Sequence, residues 1–499
     1  MSTSGEHQAT PSTDVVAQRA SENGHPIARG AFAMLSTKPL TWAASLASIV
    51  LVPRILGDDG LGRLAIAWTL GGYIGVIAAL GLPNYVTRRV ATDPAKAAAY
   101  AWGAVVLTTL AAIPLVALVV ALLAVVRPTS VDVWLTLAGL AVAFGWSLQD
   151  VVLAAFVGLQ RHAHYAWWAA SGSVAFTVTG LTALLAGADL HGYAVALLLA
   201  IVAMTTGQWA LSGIRFTRAS LTAPVLKELL SGGLPFLWWN IALRVRDNAD
   251  VVMTGLLLRP GVAGWLSAAY RIIGVTVFIP TVITTPLLPV LSKIKEHPTE
   301  YRAVLQQSIG TVLCLTVPLS AMIFALAPSI PDLLGWPAGL HASIPVIMIL
   351  AFQQVLIGVD MVLATSLIAL GRERHWLRIA LIASLFNIGL NLMAIPAADL
   401  IIGNGAVGAA TVEVATELVF LTCAVLLTPR GLIGREVLPR ILRTVGCGLV
   451  LVAVATWLRP YSVFIAFTGG GAAYLVAAVA LGVVRSADIR AVRLALRPA

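Results

Sequence analysis

Charge is scarce in this chain. Only 11% of its 499 residues are Asp, Glu, Lys or Arg, against 59% hydrophobic, and its mean hydropathy is +0.91. No soluble fold of this length keeps so much apolar surface from water, which excludes the ordinary globular and disordered classes. Cysteine is also sparse: Cys314, Cys423 and Cys447 have neither disulfide nor metal spacing and are expected to be packing residues in apolar segments. There is no Walker motif, so ATP is not expected to be the direct energy source. His162, His164, His341 and His375 fall in loops or at the ends of apolar runs, without metal-ligand spacing. No catalytic residue, cofactor or metal is expected, and the chain is read as a non-enzyme. The first 26 residues are polar, with no apolar core and no cleavage site. They are read as a disordered cytoplasmic tail, not a signal peptide.

What the chain has in quantity is long apolar runs. A helix needs about 20 such residues to cross ~30 Å of hydrocarbon. Fourteen runs qualify: 27–52, 63–82, 97–126, 133–159, 165–187, 192–214, 233–258, 262–290, 307–328, 341–370, 376–397, 404–428, 441–458 and 461–484. Of 32 Lys and Arg residues, 23 fall in alternate gaps between these runs, five in the other gaps and four inside spans. That bias is the positive-inside pattern, and it puts both termini in the cytoplasm. The net charge of +10 follows from short basic loops facing anionic inner-leaflet lipids, and it calls for no nucleic-acid partner. The fold class is therefore an all-α polytopic membrane protein of about 14 transmembrane helices.

The second half of the chain echoes the first. Asp150-Val-Val-Leu-Ala154 matches Asp360-Met-Val-Leu-Ala364, and Ala188-Asp189-Leu190 matches Ala398-Asp399-Leu400, both at an offset of 210. Between them, Gly158–Tyr165 resembles Ala369–Trp376, sharing Leu, Arg and His at an offset of 211. Six spans separate the copies, an even number, so the halves run parallel. Parallel repeats about an axis along the membrane normal are a transporter architecture. The expected organisation is a tail at 1–26, six-helix lobes at 27–220 and 221–430, and a C-terminal helical hairpin with a basic tail at 431–499.

Ionisable residues at membrane depth cost at least ~2.5 kcal/mol on insertion scales, so they face a cavity or a partner. The seventh run carries Arg244, Arg246, Asp247 and Asp250 within seven residues, with Arg246 and Asp250 on one helical face. Arg244 lies ~16 Å in from Gly233, near the midplane, and Lys38 lies as deep in the first run. Arg271 sits in the eighth. Acidic counterparts are Asp150, Asp360, Glu413 and Glu417. These charges either neutralise one another and tie helices together, or line a water-filled cavity. Midplane Lys and Arg attract anions, and Arg forks onto phosphate. Membrane-embedded acids suit coupling to H+ or Na+. Asn387 and Asn391, one turn apart, either hydrogen-bond a sugar or join two helices.

Several diffuse motifs converge on one family. They are Gly57–Gly62, Gly81-Leu-Pro-Asn-Tyr-Val-Thr-Arg-Arg89, Asp250 with Gly264-Trp-Leu-Ser-Ala-Ala-Tyr-Arg-Ile272, Leu370-Gly-Arg-Glu-Arg374, Asn387 with Asn391, Ile395-Pro396 and Gly405-Ala-Val-Gly-Ala-Ala410. Over roughly 28–429 the chain resembles the polysaccharide transporter branch of the multidrug/oligosaccharidyl-lipid/polysaccharide exporter superfamily, the oligosaccharide flippases of bacterial envelopes. The resemblance implies two lobes that open alternately and move undecaprenyl-diphosphate-linked oligosaccharide outward across the cytoplasmic membrane. It places cavity residues at Arg244, Arg246, Asp250 and Arg271, and it implies glycosyltransferases and a glycan polymerase as partners. Alternatives are a multidrug and cation antiporter of the superfamily, a lipid II flippase, and an envelope glycan polymerase or ligase. Lipid II flippases carry an early Arg-Asp pair where this chain has Arg54-Ile55, and polymerases need a large outer loop where these gaps are short.

Overall fold

The computed structural model describes residues 13–126, 131–216, 221–429, 431–434 and 437–483; the side chains of 13–35, 126, 246–247, 373–375 and 377 lie outside that description. Among the described residues every regular element is helical. In chain order they are α1 (Thr13–Ala78), α2 (Leu82–Thr92), α3 (Ala97–Val126), α4 (Val133–Gly158), α5 (His162–Leu185), α6 (Leu190–Leu211), α7 (Ala223–Leu257) and α8 (Pro260–Thr276). There follow α9 (Phe278–Lys293), α10 (Pro298–Leu326), the single turn α11 (Ile330–Leu333), α12 (Ile344–Ala369), α13 (Glu373–Ile402), α14 (Gly405–Leu427), α15 (Val437–Leu458) and α16 (Val463–Ala480).

Eleven stretches among the described residues are long and apolar enough to cross a membrane, and the bent pair α8–α9 makes twelve. Counting α1 as two spans and adding α7 supplies a helix for each of the fourteen expected spans. α1 breaks at Gly57, whose φ of 67° and ψ of −170° are open only to glycine. The eighth expected span is not continuous, for α8 and α9 meet at 43°. Pro280 is the cause: it lacks an N–H to continue the ladder, and its ring crowds the Thr276 carbonyl four residues back. Large apolar side chains lie exposed along the helices, as at Ile113, Met393, Leu400 and Val476. On a protein of this composition those are lipid-facing positions.

The chain divides into two compact units. The first comprises 1–48, 74–119 and 141–238. Its core packs α2, α3 and α4 with the start of α7 through Leu82, Val86, Val90, Tyr100, Val151 and Leu229. α2 is an amphipathic helix the hydropathy pattern left in a loop. Leu82, Val86 and Val90 recur every four residues and are fully buried, while Asn84 and Arg88 are exposed. Each of those three apolar side chains contributes about 2 kcal/mol by burial.

The second unit comprises 49–73, 120–140 and 239–499. Here α13 packs along α14, and α10 packs along both α12 and α15. The C-terminal hairpin, α15 with α16, is tied to α10 by Tyr474 Oη donating to the Cys314 carbonyl at 3.0 Å and by Arg459 donating to the Ala325 carbonyl at 3.0 Å.

The repeat has a local structural counterpart. At the end of α4 the N–H of Gln160 donates to Val157 and that of Arg161 to Phe156; at the end of α12 Gly371 donates to Ile368 and Arg372 to Leu367. Gln160 and Gly371, 211 residues apart, both take left-handed φ, 56° and 70°. This is one helix-terminating motif used twice. The next echo diverges. Asp189 caps α6, accepting from the Gly192 N–H at 2.8 Å, whereas Asp399 lies inside α13, which runs on to Ile402.

Candidate functional site

The charged stretch of α7 sits where a glycine lets another element come close. Arg244 lays its guanidinium on Gly72 of α1; a Cβ there would stand 2.0 Å from Nη2. Its Nε is buried and has no hydrogen-bond partner among the described residues. A guanidinium at this depth brings donors that a hydrogen-bond acceptor there would satisfy. Arg246 and Asp247 lie on the same helix, with side chains outside the described residues. Asp250 is fully buried. Its carboxylate accepts from the Tyr270 hydroxyl on α8 and from the Val251 N–H at 2.8 Å. Arg271 follows Tyr270 and is half-buried. The α7–α8 pair thus brings Asp250 to the neighbour of Arg271.

A second polar cluster lies among α12, α13 and α14. Asn387 donates to Glu413 at 2.7 Å and to Thr416 Oγ1 at 3.1 Å, while Asn391 donates to the side-chain Oδ1 of Asn387 at 2.8 Å. Gln353 completes the set, donating to the other Glu413 oxygen at 3.2 Å. Glu413 thus accepts two amide donors. Asn387, Asn391, Asp360 and Glu417 are buried. The Asn391 Oδ1 and both amide atoms of Gln354 are buried without a partner among the described residues. Amide oxygens and carboxylates in low dielectric can hold a proton or a small hard cation. No group of three or more His, Cys, Asp or Glu side chains converges as metal ligands among the described residues.

Lys38 and Asp150 belong to the first unit, and the other expected site residues to the second. Both are exposed on the protein surface, Lys38 on α1 and Asp150 on α4. Sequence reasoning missed Tyr270, Thr416 and the Gln353-Gln354 pair. The glutamines had a signal, since two adjacent amides interrupt an otherwise apolar run.

It also missed a cluster at the α2 end of the first unit. Arg89 pairs with Glu228 at 2.5 Å. The Tyr85 hydroxyl donates to the same carboxylate at 3.3 Å, and Arg89 donates to the Tyr100 hydroxyl at 3.2 Å. Burial raises the Tyr85 phenol pKa, and the Glu228 charge beside it raises it further. Gly81 and Gly233 let α2 and α7 touch by their backbones; a Cβ at Gly81 would lie 2.4 Å from the Gly233 carbonyl oxygen.

Residues 27–295 match the family model described as polysaccharide biosynthesis protein, and residues 235–393 match the MatE family model. No curated protein matches the sequence. Among solved structures the fold is similar to the lipid II flippase MurJ in an inward closed conformation, with a TM-score of 0.72 at 14% identity over 89% of this chain and 98% of that one. It is also similar to a multidrug resistance MATE family transporter of the MOP superfamily in an inward-facing conformation, with a TM-score of 0.61 at 15% identity over 79% and 97%. The MATE multidrug transporter DinF-BH gives a TM-score of 0.53 at 15% identity over 81% and 94%. At such identities the likeness is one of fold. The family match spans more than half the chain, and the helical architecture agrees with it. The chain belongs to the polysaccharide biosynthesis protein family, within the multidrug/oligosaccharidyl-lipid/polysaccharide exporter superfamily of multi-pass membrane transporters.

Proposed function

We propose that this carrier moves undecaprenyl-diphosphate-linked oligosaccharide, a cell-surface polysaccharide repeat unit, from the inner to the outer leaflet of a bacterial cytoplasmic membrane by alternating access. The observation that carries the reading is Arg244: a guanidinium seated on Gly72, with a buried N–H that has no partner among the described residues. Arg246, Arg271 and Lys38 add positive charge for an anionic diphosphate and sugar head, while the polyprenyl tail stays in lipid. The lobes 27–220 and 221–430 are the moving parts, with both termini cytoplasmic. Asp250, Glu413 and Glu417, with Asp150, Asp247 and Asp360, serve H+ or Na+ coupling or balance the arginines. Asn387 and Asn391 orient Glu413 in this scheme. The cycle delivers its cargo from glycosyltransferases to an envelope polymerase.

The lipid II flippase reading draws on the fold likeness to MurJ, but Arg54-Ile55 departs from that family's early Arg-Asp pair. The test is complementation of a strain lacking its own repeat-unit flippase. Restored surface glycan supports the reading. Rescue of a lipid II flippase deletion instead would transfer it to peptidoglycan precursor.

A further inference from the structure

Within the first unit, α4, α5 and α6 meet around Gly172. A Cβ on this α5 residue would stand 2.5 Å from Gln149 Nε2 on α4 and 3.2 Å from Gln208 Nε2 on α6. The glycine leaves the room into which both side chains fold, and Gln149 and Gln208 are only 0% and 2% exposed. One hydrogen bond is made there: Gln208 Nε2 donates to the carbonyl of Trp168, one turn before Gly172, at 3.0 Å. Both Nε2 and Oε1 of Gln149, and Oε1 of Gln208, are buried with no hydrogen-bond partner among the described residues. The place is closed along the helices in both directions. Toward the start of α4, Ile201 fills the space over Gly145, and Thr205 donates to the Gly145 carbonyl at 3.3 Å. Toward its end, Val152, Leu153 and Phe156 pack with Trp168 and Trp209. Gln149 lies ~14 Å along the axis from the last residue of α4, well inside the span.

We infer that the first unit binds an internal water between Gln149 and Gln208, beside Gly172, and that this water bridges α4 to α6. A carboxamide left unpaired in an apolar interior is costly, so such groups are met by water or an ion. The open atoms decide between these. Gln149 Nε2 brings N–H donors, whereas the two amide oxygens accept. A metal cation held by the oxygens would leave the N–H groups unmet, and an anion would leave the oxygens unmet. Water accepts from the N–H and donates to both oxygens, about three bonds, the usual number for a buried water. A sugar hydroxyl has the same capacity, but two side chains so fully enclosed admit no cargo. Helices in lipid gain no hydrophobic term by meeting, so a polar bridge of this kind helps hold the three together.

The test is X-ray radiolytic labelling of the full-length protein in lipid nanodiscs, read by mass spectrometry. A water held inside a protein yields hydroxyl radicals where it sits. Met204 is a ready target, since its methyl carbon stands 3.1 Å from the same Gly172 Cβ position. In the wild-type protein Met204 should oxidise about tenfold faster than Met393, which is 73% exposed but faces lipid. Gln149→Leu with Gln208→Leu removes the open amides and should bring Met204 down to the Met393 rate. Gln149→Asn keeps a carboxamide and should retain most of the wild-type rate. A wild-type Met204 rate no higher than that of Met393 would overturn the inference without any variant. Undiminished oxidation in a folded double-leucine protein would overturn it too. So would a rise in melting temperature on replacing choline with sodium that the double-leucine protein lost, for the occupant would then be a cation. No arm needs a cargo, so the outcome is independent of the flippase reading.

Discussion

The side-chain amide of Asn387 on α13 bonds the Glu413 carboxylate on α14 at 2.7 Å, and the same asparagine accepts from Asn391 one turn along at 2.8 Å. Glu413 accepts there from two neutral amides, Asn387 on α13 and Gln353 on α12. A carboxylate so held keeps its capacity to exchange a proton or a cation, while the amides fix its orientation.

Glu413→Ala should cost about 1–3 kcal/mol of stability, because it strands the Asn387 and Gln353 amides in an apolar interior. Glu413→Gln should cost less, since the new carboxamide still accepts, and transport by that variant should lose its dependence on the proton or sodium gradient. Thermal unfolding in detergent and gradient-driven transport check the two parts. Unaltered gradient dependence in the glutamine variant would remove Glu413 from coupling.

Gly72→Ala tests the Arg244 seat without touching the arginine. The added methyl meets the far end of a flexible side chain, so the protein should fold with a stability loss under about 1 kcal/mol. The guanidinium must then move, and export should fall severalfold. Normal export would mean that the position of Arg244 does not matter to the cargo.

The twin helix terminations predict opposite outcomes at equivalent sites. Gly371→Ala forces a Cβ into a left-handed residue and should cost about 1–2 kcal/mol. Gln160→Gly relieves the same strain and should be neutral or stabilising by up to about 1 kcal/mol, after the entropy of glycine is subtracted. Thermal shifts of the same sign and size in both variants would contradict the parallel between the two junctions.

Membrane spans were legible in the sequence because hydrophobicity over 20 residues is a local quantity. The break between the first two spans falls in the gap expected between them, at Gly57. The bend at Val277 was missed although Pro280 announced it, since proline inside a membrane helix is tolerated as often as it breaks one. α2 was hidden because three buried residues in eleven raise no hydropathy peak, though their spacing of four was there to read. The repeat misled at Asp399, where one sequence echo serves as a cap in the first copy and as helix interior in the second. At the candidate site, the intramembrane charges stood out by their cost. Their partners did not. Tyr270, Thr416 and Gln353 are ordinary residues until the fold sets them against Asp250, Asn387 and Glu413. Arg89 and Glu228 lie 139 positions apart, and no local pattern couples them.

The most direct measurement is leaflet exchange in proteoliposomes holding this protein and a fluorescent undecaprenyl-diphosphate-linked oligosaccharide, read by an impermeant quencher or glycosidase. Wild-type protein should make the label accessible on both sides under an imposed ion gradient. Arg244→Ala, equally well folded, should lower the rate at least tenfold, since it removes a guanidinium that can fork onto the diphosphate. No exchange by the wild-type protein, or equal exchange by the two, would contradict an arginine-lined path for an anionic lipid-linked sugar.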